Sequence, residues 1–136
     1  MRTLHPALLV RDISASLRFY STLGYSEVGR VRGTSLGDLT LLKLAGDDYA
    51  ALELVEDPQR DASTSGSSFS HLAVQVESVR DIMDALRLNG FEPAPVLMPG
   101  GPAGPETSWV SDPDGHRIEL TQWPAGHPLG VTSADF

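Results

Sequence analysis

Hydrophobic and polar positions along the chain alternate with period two in some stretches and recur every three to four residues in others. In "LHPALLV" (residues 4–10) the alternation puts His5, Ala7 and Leu9 on one face of a strand. In "SHLAVQV" (70–76) it puts His71, Ala73 and Gln75 on one face and Leu72, Val74 and Val76 on the other. Each of these strands leads into a helical pattern. In the first, Asp12 is the expected N-cap, with Ile13, Leu17 and Tyr20 as the apolar stripe. In the second, Ser78 is the N-cap, Asp81 its capping-box partner, and Val79, Ile82, Met83 and Leu86 form the stripe. Both helices are expected to stop at a glycine, Gly24 or Gly90, the usual left-handed residue after a helix C-terminus. Strand-like segments follow: "SEVGRV", "LTLLKLA" and "YAALELV" in the first half, then a weak "EPAPV", "TSWVS" and "HRIELTQ" in the second.

The two halves repeat. His5 and His71, Gly24 and Gly90, Tyr25 and Phe91, and Glu53 and Glu119 are all separated by the same 66 residues, and Leu52-Glu53-Leu54 falls on Ile118-Glu119-Leu120. One such match means little, but a shared offset that also matches local patterns marks two copies of one module. The unit is strand, helix, then three strands. The expected fold class is therefore α+β, built from two tandem βαβββ modules. Module one covers residues 1–60 and module two 69–124, joined by the polar, small-residue-rich stretch 57–68 and followed by an aperiodic tail, 124–136. All of residues 1–136 are expected to form one domain, a size that supports a real core. The Pro- and Gly-rich "EPAPVLMPGGPAGPE" (92–106) reads either as a lid over a cavity or as a variable surface loop.

The repeat places an acid inside each last apolar strand and a histidine at each first strand. For one residue alone, the bland reading of a solvated side chain on a half-buried strand comes first. Four at matched positions favour a site. Two His and two Glu form a mixed nitrogen and oxygen set for a divalent ion, with formal neutrality and room for water or substrate. Such donors suit nickel, zinc, cobalt, manganese or iron. The set lacks the thiolates of a closed structural zinc site, and the chain has no cysteine. His116, beside a turn, and His127, in the tail, are expected to be solvated. Trp109 is a candidate for the wall of the site and equally for the core.

Composition narrows the partners. With 10 basic and 18 acidic residues the net charge is −8, which disfavours nucleic acid. No signal peptide, no bilayer-spanning run and no cysteine are seen, which fits a cytoplasmic protein without a membrane partner.

Four stretches, "LHPALLVRDISASLRFYSTLGY", "ELV", "SHLAVQV" and "SDPDGHRIEL", make the chain similar to the vicinal-oxygen-chelate superfamily, and within it to bacterial glyoxalase I, the lactoylglutathione lyases. The resemblance runs from Leu4 to about Trp123 and implies a curved, eight-stranded mixed sheet and a homodimer. It implies His5, Glu53, His71 and Glu119 as metal ligands, with Glu119 as the base that moves a carbon-bound proton and Glu53 as its counterpart. The implied substrate is the hemithioacetal of a 2-oxoaldehyde such as methylglyoxal, converted to a 2-hydroxyacyl thioester. Glyoxalase I relatives commonly carry an Arg where Leu9 stands, an Asn where Asp57 stands, and a lysine near the glycine-rich loop. Those departures imply that the thiol is not necessarily glutathione. Other branches of the superfamily supply the alternatives: a small-molecule-binding resistance protein of the bleomycin type, or a non-haem metal dioxygenase.

Overall fold

Two short strands, each followed by an amphipathic helix, open the two halves of the computed structural model, which describes residues 1, 3–57 and 69–127. The chain divides into two units, Met1–Phe69 and Ser70–Phe136. The expected linker, apart from Asp57, and the tail beyond His127 lie outside the described residues.

In the first unit the order is β1 (Ala7–Val10), α1 (Ile13–Thr22), β2 (Ser26–Thr34), β3 (Gly37–Lys43) and β4 (Leu52–Glu56). They form a mixed sheet in the order β1-β4-β3-β2, with β1 parallel to β4 and the other pairs antiparallel. Alternation decides what is inside. Leu8, Val10, Leu52 and Leu54 are buried, as are Phe19 and Tyr20 of α1, whose rings meet edge to face at 5.1 Å. Each such side chain contributes about 1.5–3 kcal/mol. Asp12 caps α1 as expected, its Oδ1 accepting from the backbone of Ser14 and Ala15. The buried face of α1 also includes Ser16, which an apolar stripe of Ile13, Leu17 and Tyr20 does not contain.

The second unit repeats the plan with β5 (Leu72–Gln75), α2 (Val79–Leu88), β6 (Glu106–Ser111) and β7 (Arg117–Gln122), in the order β5-β7-β6. Again β5 runs parallel to β7, and the hairpin β6-β7 is antiparallel. Val74, Val79, Met83, Leu86, Ile118 and Leu120 are buried. Ser78 caps α2 through a bond from the Asp81 N–H.

The repeat extends to hydrogen bonds. Ile13 N donates to Glu56 Oε1 at 2.8 Å, and Val79 N donates to Gln122 Oε1 at 2.9 Å. In each unit the last residue of the last strand, or next to it, thus satisfies an orphan N–H at the start of the helix. Each helix ends in matching bonds, Gly24 N to Ser21 O and Gly90 N to Arg87 O, and both glycines have positive φ.

The expectation of eight strands is corrected at one place: the described residues contain seven. "EPAPV" forms no regular strand. It contributes a bond from Ala94 N to Trp109 O, and just beyond it lies a single bridge, Leu97 to Thr107. From Ala94 to Leu97 the chain advances three residues while β6 advances two, from Trp109 to Thr107, so the register slips and no continuous ladder against β6 forms. Among the described residues, no helix is long and apolar enough to cross a membrane.

Candidate metal centre

In β4, Leu52 and Leu54 point into the core, so Glu53 must face the other side of the sheet. Its neighbours in the ladder are Ala7 of β1 and Leu41 of β3. Pro6 O accepts from Glu53 N at 3.0 Å, which continues the pairing past the start of β1 and brings His5 alongside. His5 Nε2 stands 3.5 Å from Glu53 Oε2. In β7, Ile118 and Leu120 are fully buried and Glu119 faces away from them, between Ala73 of β5 and Trp109 of β6. His71 Nε2 stands 3.6 Å from Glu119 Oε2.

The two pairs are alike in geometry and differ in exposure. The side chains of His5 and Glu53 are 24% and 14% exposed, and those of His71 and Glu119 are 36% and 23% exposed. Both separations exceed the roughly 3.2 Å reach of a good N–H···O bond. Two donors each about 2.1 Å from one divalent ion, and about 110° apart, stand about 3.4 Å from each other. The spacing in each pair is compatible with two donors to one divalent ion, as it is with an ion pair between imidazole and carboxylate. Ser70 Oγ lies 3.0 Å from His71 Nδ1. A hydrogen bond there orients the ring and leaves Nε2 towards the carboxylate, the usual arrangement behind a ligating imidazole.

The structure thus joins the four candidate ligands as two pairs, His5 with Glu53 and His71 with Glu119. Among the described residues, no cluster of three or more His, Cys, Asp or Glu side chains is placed to hold a metal ion.

Trp109 belongs to the wall of the second pair. It is half-buried on the face shared with Glu119, and its ring meets His71 edge to face at 5.1 Å. Arg117, absent from the sequence-based candidates, places its guanidinium carbon 4.4 Å over the Trp109 ring. The signal for it was available: Arg117 sits two residues before Glu119, so alternation puts both on one face. The turn Asp112–Gly115 fixes the hairpin that aligns these residues. Asp112 Oδ1 accepts from Asp114 N and His116 N, and Asp112 O accepts from Gly115 N. The two remaining histidines are less solvated than expected. Both are half-buried, and His127 stacks on Trp123 with ring centroids 4.0 Å apart.

Comparison with known proteins identifies the family. Residues 2–120 match the family model of the Glyoxalase/Bleomycin resistance protein/Dioxygenase superfamily. A probable lactoylglutathione lyase of Synechocystis sp. is 30% identical over 128 residues, covering 90% of this chain and 95% of the relative. A glyoxalase family protein from Enterococcus faecalis superposes with a TM-score of 0.72 at 25% identity, covering 88% of this chain and 96% of that one. An antibiotic binding protein from Streptomyces sp. CB03234 shares the fold, with a TM-score of 0.70 at 21% identity and coverage of 91% and 98%. The chain belongs to the glyoxalase/bleomycin resistance protein/dioxygenase superfamily.

Proposed function

We propose that the protein is a metal-dependent lyase of the glyoxalase I type, acting as a homodimer in the cytoplasm. In this reading residues 1–136 make one vicinal-oxygen-chelate domain, and His5, Glu53, His71 and Glu119 hold a divalent ion, nickel or zinc first. The observation that carries it is the matched spacing of the two His–Glu pairs, 3.5 and 3.6 Å. The Synechocystis relative, described as a probable lactoylglutathione lyase, supports the reaction class.

The substrate is the hemithioacetal of a 2-oxoaldehyde and a thiol. When bound, the metal supplies Lewis-acid stabilisation of the negative charge that grows on the substrate oxygens. The chain's own residues move the proton. The Glu119 carboxylate takes it from the sulfur-bearing carbon and returns it at the neighbouring carbonyl carbon, while the hydroxyl proton of the first carbon passes to the oxygen of the second, so the product is a 2-hydroxyacyl thioester and no external acid or base is consumed. Glu119 suits this role better than Glu53 because it is the more exposed of the two and borders the Trp109 wall. Glu53 keeps its place as counterpart and ligand. Trp109 lines the substrate side. Leu9 and Asp57 supply no cationic anchor for glutathione, so another small thiol is within the proposal.

The test is thioester formation from methylglyoxal and a panel of thiols by protein loaded with nickel, cobalt or zinc. Turnover with at least one thiol, lost on metal removal and in Glu119→Gln, is expected. A metal-replete protein that forms no thioester with any thiol overturns the proposal. Tight binding of drug-like compounds without chemistry would then favour a binding protein, and oxygen-dependent ring cleavage a dioxygenase.

A further inference from the structure

Arg117 rests on an aromatic ring and not against an acid. It is exposed, and among the described residues it makes no ion pair with any acid. Other arginines of this acidic chain are answered: Arg30 by Glu27 at 2.8 Å, Arg87 by Asp84 at 2.9 Å, and Arg80 by Glu106 at 3.6 Å. The contact of Arg117 is with the Trp109 ring, 4.4 Å away. A guanidinium that rests on an aromatic face gains cation–π attraction while its N–H donors stay available for a planar, bidentate acceptor.

Its position ties it to the candidate metal centre. Trp109 lies directly across the ladder from Glu119, and its ring touches that of His71. Arg117 and Glu119 share one strand face, with Cα atoms about 6.8 Å apart along an antiparallel strand. The first unit has no counterpart. There the residue two before Glu53 is Ala51, and the residue across from Glu53 is Leu41. The cation and the aromatic platform occur beside one of the two carboxylates only.

We infer that Arg117, seated on Trp109, anchors a carboxylate of the substrate, so that the preferred thiol component is a short mercapto-acid. The inference rests on the metal-dependent reading above and names the substrate class for it. A carboxylate a few bonds from sulfur would meet the Arg117 fork while the carbons next to sulfur face Glu119. The net charge of −8 repels such anions elsewhere, which makes a local cation the more decisive.

The test compares N-acetylcysteine with its methyl ester, two thiols that differ in charge and little else, each with methylglyoxal and nickel-loaded protein. Wild type is expected to favour the acid over the ester by about tenfold or more in kcat/KM, as a charge-assisted bidentate bond implies. In Arg117→Gln that ratio falls to near one, mainly through KM, and Arg117→Lys restores part of it. A ratio near one in wild type, or a ratio unchanged in Arg117→Gln, overturns the inference. A loss that is equal for both thiols marks a structural residue and also overturns it. If neither thiol is turned over, the reaction reading is what fails for these substrates. Calorimetric titration with S-methyl-N-acetylcysteine and its methyl ester then decides the anchor: preference for the acid, lost in Arg117→Gln, upholds it, and equal affinities refute it.

Discussion

Substitutions at adjacent positions of β7 should separate stability from metal binding, because alternation sends Leu120 and Glu119 to opposite faces. Leu120 is fully buried. Leu120→Ala removes its packing and leaves a cavity, at a cost of about 2–5 kcal/mol. For a chain of this length roughly 4 °C accompanies each kcal/mol, so the midpoint should drop by about 8–20 °C. Glu119→Gln keeps the shape of a partly exposed side chain whose nearest ionisable partner stands beyond hydrogen-bond reach, at 3.6 Å. Without metal it should change stability by no more than about 0.5 kcal/mol. Nickel at a hundred times its Kd should stabilise wild type by about 2.7 kcal/mol, or about 10 °C. Loss of a ligand costs at least the hundredfold in affinity that removal of outer partners already reaches. The same nickel concentration then sits near one Kd, and the gain shrinks to about 0.4 kcal/mol, under 2 °C. Thermal melts followed by circular dichroism, with and without nickel, read all of this. Leu120→Ala should begin lower and keep the nickel shift, while Glu119→Gln should begin level with wild type and lose it. Where Leu120→Ala is too unstable to purify, Ile118→Val, at about 0.5–1.5 kcal/mol, serves the same comparison. The reasoning is refuted if Glu119→Gln lowers the metal-free stability by more than 1 kcal/mol or retains the wild-type nickel shift.

Burial, and then the charge of Asp47, push the Tyr25 phenol up to about 12. Because the folded-state value lies above the ordinary 10, the neutral phenol is the favoured form; its contribution, at most roughly 3 kcal/mol, is complete below pH 10 and fades as pH rises to about 12. Phenolate absorbance should therefore show a late-ionising step whose amplitude Tyr25→Phe lowers by one tyrosine, and an unchanged late amplitude in that variant would contradict it. Glu56→Ala should cost about 1–3 kcal/mol by orphaning the Ile13 N–H, Glu56→Gln under about 1 kcal/mol because the amide oxygen can still accept, and Gln122→Ala about 1 kcal/mol. Urea midpoints would test that order, and equal losses in Glu56→Ala and Glu56→Gln would count against it. At Gly37, φ is +121° and an added Cβ would stand 2.5 Å from Glu56 O, so Gly37→Ala should cost about 2 kcal/mol or more, whereas Gly46→Ala, with nothing within 4 Å, should be near neutral in the same assay.

Much of this was legible in the chain because the chain carries its own comparison. The offset of 66 residues predicts the helix caps, the stop glycines and a histidine and a glutamate at matching places in each unit. It reaches the helix latch too, since Glu56 and Gln122 obey the same offset. The latch escaped notice because the residue types differ, although both offer an oxygen at the same reach. Other features are set by tertiary contacts. The ladder partner of Glu53 is Leu41 and that of Glu119 is Trp109, which are 68 residues apart rather than 66. The connection from β6 to β7 (112–116) is shorter than that from β3 to β4 (44–51), and this shifts the register. A gapless comparison would have matched Trp109 with Lys43 and missed that Arg117 and Trp109 flank Glu119. The weak strand "EPAPV" failed for a register reason: three residues from Ala94 to Leu97 face two of β6, from Trp109 to Thr107, and a local pattern does not reveal such a slip.

What turns an acid on a strand into half of a His–Glu pair is the residue beside it. Alternation alone takes Glu53 and Glu119 out of the core but leaves open what they meet. Each lies next to an alanine on a parallel strand, Ala7 or Ala73, and each alanine is followed two residues back by the histidine. A larger side chain at either alanine would fill the space between imidazole and carboxylate, because neighbouring strands lie only about 4.8 Å apart. The alanine is the small residue that lets the histidine reach across. On the other flank the two units part ways. Glu53 meets Leu41, an apolar and uncharged neighbour, while Glu119 meets Trp109 with Arg117 upon it. The shared alanine goes with the shared His–Glu spacing, 3.5 Å in one unit and 3.6 Å in the other. The unequal flanks leave Glu53 the more covered carboxylate, 14% exposed beside an apolar neighbour, and Glu119 the more open one, 23% exposed beside an aromatic ring that carries a cation.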